Sequence, residues 1–203
     1  MADLILFHHA QGLTGGIEAF AEQLRGAGHQ VTVPDLYDGA TFDTIGDGVT
    51  HAEHLGFDNI IAAGAAAAEK LPEPTVYAGF SLGAMVAHKL AQTRPGALGA
   101  LLYHHGDVPI TTFGESWPVG VDVQLHINER DEWAELDLVR EFVEQATAWA
   151  NAELFLYPGS THLFTDSSLS DYEPESAALV FERTLDFLQA LTSTSTRDPS
   201  RPG

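Results

Sequence analysis

Thr75-Val76-Tyr77-Ala78-Gly79-Phe80-Ser81-Leu82-Gly83-Ala84-Met85 is the stretch on which the architecture turns. A β-branched and aromatic run reaches Gly79, a serine follows two positions on, and Gly83 lies two beyond that. From Leu82 to Gln92 the apolar positions then recur at three and four, which is a helix. Strand, sharp turn and helix therefore follow one another at once. Such a turn presses the residues two before and two after the serine against neighbouring backbone, so Gly79 and Gly83 supply the room it needs. The spacing is GxSxG, and it places the Ser81 hydroxyl beside a helix N-terminus, where N–H groups favour developing negative charge.

Working outward, Leu4-Ile5-Leu6-Phe7 reads as a strand buried on both faces, followed by a Gly-rich turn over 11–16 and a helix carrying Ile17, Phe20, Ala21 and Leu24. Gly26-Ala27-Gly28 stops that helix before a short strand, Gln30 to Val33. Residues 34–57 are rich in Asp, Gly and Thr and read as loop with one helical turn near His51 to Leu55, and the next helix is expected from Asn59 to Lys70. Downstream, strands are expected at Leu98 to Tyr103, Val121 to Ile127 and Glu153 to Tyr157, with helices at Asp137 to Ala150 and Glu175 to Leu191. Strands that alternate with helices imply an α/β domain over residues 1–191, with a mostly parallel sheet of about six strands and helices on both faces. The polar tail, 192–203, is expected to be disordered.

Composition narrows the chemistry. The 203 residues suffice for one ordinary core. Cysteine is absent, which removes disulfides, thiolate metal sites and a thiol nucleophile together. The formal charge of −20 repels phosphate backbones and anionic bilayers, so neither nucleic acid nor membrane is an expected partner. No apolar run approaches the roughly 20 residues of a spanning helix, and MADLILFHHA lacks a basic leader, so a cytoplasmic monomer or weak homodimer is expected.

An activated serine needs a base and an acid to orient it, and after an elbow of this kind they follow in the order serine, acid, histidine. His88 lies inside a helix and His126 inside a strand, while His104 and His105 precede every good acid. His162, in a loop after the strand ending at Tyr157, is left as the base. The acid comes from Asn128-Glu129-Arg130-Asp131-Glu132-Trp133. Asp131 is preferred there for its short side chain, although spacing alone does not separate it from Glu129 and Glu132.

Pro34-Asp35-Leu36-Tyr37, the 79–83 elbow, Asp131, Tyr157-Pro158-Gly159 leading to His162 and Phe164, and the closing Glu182-Arg183-Thr184-Leu185-Asp186-Phe187-Leu188 together resemble the dienelactone hydrolase family. The resemblance implies an α/β-hydrolase fold and a serine hydrolase acting on a small ester or lactone without a cofactor. It implies Ser81, Asp131 and His162 as nucleophile, acid and base, and the N–H groups of Leu82 and Ala10 as the oxyanion hole. His9, His105, Trp133 and Phe164 are expected to line the substrate pocket.

The chain departs from the family at three places. Ser81 stands where type members carry cysteine, so the base should matter fully. Asp166 lies where a carboxylate-holding arginine would follow the histidine, and His9 replaces a glutamate at the end of the first strand. A dienelactone-like dianion is therefore not the expected substrate. Two other readings compete: a ligand-binding homologue without turnover, and a metal hydrolase built on the strand-end histidines His8, His9, His104 and His105.

Overall fold

The computed structural model describes residues 1–195. In chain order the elements are β1 (Asp3–Phe7), α1 (Gly15–Gly26), β2 (Gln30–Thr32), α2 (Ile45–Leu55), α3 (Phe57–Ala68), β3 (Thr75–Phe80), α4 (Leu82–Thr93), β4 (Ala97–Tyr103), β5 (Asp122–Asn128), α5 (Leu136–Thr147), β6 (Ala152–Tyr157) and α6 (Pro174–Ser195). The strands form one sheet in the order β2-β1-β3-β4-β5-β6, and every pairing is parallel. From β1 the chain moves outward to β2, then returns across β1 to β3 and proceeds the other way. The reversal between β1 and β3 opens a crevice at their carboxyl ends, which is where ligands settle in sheets of this kind.

Alternation along each strand assigns the two faces. Leu4, Leu6, Val76, Ala78, Phe80, Leu101 and Tyr103 pack with Ile17, Phe20 and Leu24 of α1 and with Val180, Phe187 and Leu188 of α6. Ile5, Phe7, Tyr77, Leu102, Val123 and Leu125 pack on the opposite side with Ala52, Ile60, Val86, Val139 and Phe142 from α2 through α5. Both faces are covered, which is why the central strands read as continuous apolar runs. No helix among the described residues is long and apolar enough to cross a membrane.

The elements differ from the sequence reading in three respects. The sheet is wholly parallel. Residues 45–55, read as loop with a single turn, form the full helix α2, so six helices are present among the described residues where five were expected. Gly46 and Gly48 hid it, because each costs roughly 1 kcal/mol in a helix interior. Gly48 is required by packing: a Cβ there would lie 2.0 Å from the carbonyl oxygen of Ala10. Thr44 caps the helix, its Oγ1 accepting from the Asp47 amide. Finally, α6 continues through Ser195, past the expected boundary at Leu191, and residues 196–203 of the tail lie outside the described residues.

Candidate active site

Ser81 sits between β3 and α4 with φ 51° and ψ −114°, in the left-handed region that a side chain rarely adopts. Its amide is held by the Tyr103 carbonyl at 2.8 Å. The flanking glycines explain how the chain tolerates the turn. A Cβ on Gly79 would meet the Gly83 carbonyl oxygen at 2.3 Å, and one on Gly83 would meet the carbonyl oxygens of Phe7 and His8 at 2.4 Å. The start of α4 is thereby pressed onto the end of β1.

The Ser81 hydroxyl donates to His162 Nε2 at 2.8 Å, and His162 Nδ1–H donates to Asp131 Oδ2 at 2.7 Å. The second carboxylate oxygen of Asp131 accepts the Trp133 amide at 2.9 Å. Asp131 and His162 are buried, while Glu129, Arg130 and Glu132 are exposed. Of the three acids that spacing left open, Asp131 is therefore the one brought to the imidazole. The loop bearing His162 is tied down from both sides: Asn128 Nδ2 donates to the Thr161 carbonyl at 2.9 Å, and Thr165 Oγ1 pairs with His104 Nε2 at 2.7 Å.

The four residues expected to line a pocket divide. Trp133 is 53% exposed with its ring 6.0 Å from that of His162. A cleft of about 350 Å³ opens beside it, bounded by Gln11, Asp43, Thr44, Leu169 and Asp171. His105 is buried at the end of β4. Its pKa falls to about 4 because burial disfavours the cation, against the pull of Asp107, with His162 lowering it further, so it is neutral beside the site. Phe164 does not line a pocket. It is fully buried, with ring contacts to His104 and Tyr157, and belongs to the core under α6.

His9 is the other correction. It is 1% exposed, its Nε2–H donates to Asp166 Oδ2 at 2.8 Å, and its Nδ1 accepts the Gln11 amide at 3.2 Å. Both ring nitrogens are spoken for inside the protein. Asp166, read from sequence as a negative charge near the substrate, is instead buried; burial would raise its pKa, but hydrogen bonds from His9, Ser168 and Thr14 outweigh that and hold it at about 2. No sequence signal marked Asp166 as the partner of His9, because the two are far apart in the chain.

The strand-end histidines part company. His8 donates to the His9 carbonyl and accepts the Leu36 amide, and His104 pairs with Thr165. Among the described residues no three His, Asp or Glu side chains are grouped to hold a metal ion.

The model of the Dienelactone hydrolase family matches residues 2–192. No curated protein matches the chain. Among solved structures, a dienelactone hydrolase from Anabaena variabilis is 17% identical with a TM-score of 0.69, covering 93% of this chain and 86% of that one. A dienelactone hydrolase-like promiscuous phosphotriesterase from metagenomic libraries gives 15% and 0.74, covering 94% and 87%. A thermophilic esterase from Thermogutta terrifontis, solved with propionate bound, gives 14% and 0.64, covering 94% and 84%. At such identities the likeness is one of fold, the α/β-hydrolase fold.

Proposed function

Because the chain belongs to the dienelactone hydrolase family, we propose that it is a serine hydrolase that cleaves a small ester or lactone through an acyl-enzyme on Ser81. The observation that carries this reading is the continuous hydrogen-bonded series from Ser81 through His162 to Asp131. As Ser81 Oγ bonds to the carbonyl carbon, its proton passes to His162 Nε2, and the Asp131 carboxylate stabilises the imidazolium that results. The carbonyl oxygen becomes an oxyanion facing the amides of Leu82 and Ala10. Leu82 opens α4 and so has no intrahelical acceptor, and the Ala10 amide meets no acceptor among the described residues. Collapse breaks the bond to the leaving alkoxide, which takes the proton from His162. Water then repeats the sequence and frees the acid.

The esterase fold of the neighbours supports an ester substrate, and one of them, Thermogutta terrifontis esterase 2, is described as phosphorylated by paraoxon. An organophosphorus probe is therefore the direct test. A fluorophosphonate should add one phosphonyl group to Ser81 by intact-protein mass spectrometry, and Ser81→Ala should abolish both labelling and turnover of p-nitrophenyl acetate. Unlabelled protein with no turnover of any ester would favour a ligand-binding role instead.

A further inference from the structure

A second carboxylate–imidazole pair stands beside the first. Asp166 Oδ2 accepts from His9 Nε2–H and from the Thr14 hydroxyl, and its Oδ1 accepts the Ser168 amide at 2.8 Å and the Ser168 hydroxyl at 2.6 Å. It lies against the first turn of α1, so closely that a Cβ on Gly16 would overlap its Oδ1 at 1.8 Å. A carboxylate that accepts from Nε2 requires the hydrogen on that nitrogen, so in the neutral ring Nδ1 is left as a bare acceptor. That is what the Gln11 amide needs, since it points at Nδ1. The Gly12 amide is taken up by the His9 carbonyl at 3.0 Å. In the turn that follows β1, the amides of residues 11 and 12 are thus both drawn inward, and the Ala10 amide between them and the strand is the one left for the site.

We propose that Asp166 and His9 are positioning residues that fix the oxyanion turn: Asp166 sets the His9 tautomer, and His9 Nδ1 turns the Gln11 amide inward so that the Ala10 amide faces the reacting carbonyl. This rests on the serine hydrolase reading, in which Ala10 supplies an oxyanion donor. With the opposite tautomer, Nδ1–H would oppose Gln11 N–H, and the turn would have to rotate. Removing an oxyanion donor costs about a hundredfold or more in kcat, and misaiming one costs less. Bound substrate, whose carbonyl is only weakly charged, gains little from the donor, so the loss falls on kcat and leaves KM nearly unchanged.

Two measurements test this. In protein labelled with 15N-histidine, the His9 ring should show its hydrogen on Nε2 and a bare Nδ1 in the parent protein, and Asp166→Asn should weaken or reverse that preference. Kinetics with p-nitrophenyl acetate should give about ten- to hundredfold lower kcat for His9→Phe and for Asp166→Asn, with KM within about twofold. His9→Asn should be rescued to within about threefold, because its Oδ1 sits where Nδ1 does and accepts the amide two residues on. A purely structural pair would lower the unfolding temperature of these variants and leave kcat unchanged while they are folded. An Nδ1–H or doubly protonated His9 in the parent protein, or parental kcat in His9→Phe with Ser81 still labelled by fluorophosphonate, overturns the inference alone. Failure of the probe to label Ser81 in the parent overturns the hydrolase reading and the inference with it.

Discussion

Mild acid should unfold this protein before its carboxylates protonate, because its interior is populated by neutral histidines. Burial is the leading cause in every case: it lowers His8 and His105 to about 4 and His88 and His126 to about 3, and sets His104 well below the ordinary value. In the unfolded chain each would titrate near 6.5. A base whose folded pKa is depressed lends stability that is complete above the unfolded value and is lost as pH falls from about 6.5 towards the folded pKa. At pH 5.5 the unfolded chain carries about 0.9 proton on each of these rings and the folded chain nearly none, so unfolding takes up about four to five protons. The stability should then fall by about 6 kcal/mol between pH 7 and pH 5.5, on the scale of the 5–15 kcal/mol that a domain possesses. Urea midpoints at pH 7.5, 6.5, 6.0 and 5.5 measure this directly. They should drop steeply below 6.5, and His88→Phe should shed about one proton from the uptake. A midpoint unchanged from pH 7.5 to 5.5 would refute the reasoning, since it would mean that these rings are protonated in the folded state or reached by water.

Three further outcomes are expected. Asp131→Asn should lower kcat by about 10⁴-fold through loss of the correct His162 tautomer, whereas Glu129→Gln and Glu132→Gln should stay within about twofold; p-nitrophenyl ester kinetics decide between them. Gly83→Ala should destabilise the fold by about 3 kcal/mol in urea titrations, because the added methyl meets backbone carbonyls at the end of β1 that cannot move aside. Neutral esters should exceed matched anionic ones in kcat/KM by about tenfold at low ionic strength, with the gap narrowing at about 0.5 M salt. Asp43 and Asp171, which border the cleft beside Trp133, place negative charge there, whereas Asp166 is enclosed.

The elbow, the strands along the chain and the loop that brings His162 to Ser81 were legible because each is encoded locally: glycines at fixed offsets, apolar runs of strand length, a histidine in a post-strand loop. The choice of Asp131 among three acids needed the fold, since it depends on which side chain of one turn faces inward. Helix α2 was missed because Gly48 is there for the sake of the Ala10 carbonyl, a contact no window along the chain contains. The same limit misdirected His9 and Phe164. Both follow strands at the sheet's carboxyl edge, where a side chain can face cleft or core, and partners distant in sequence, Asp166 for one and His104 for the other, settle the matter.

The pairing of His9 with Asp166 joins positions 157 apart, and Ser81 meets His162 across 81. Closing such spans costs entropy that must be met before the contacts return anything. During synthesis, a chain that has emerged only through β5 carries Ser81 but lacks His162 and Asp166, the partners that Ser81 and His9 meet in the fold. On the serine hydrolase reading, the series from Ser81 to His162 is therefore complete only when the final third of the chain docks, and a truncation before β6 should be inert rather than weakly active.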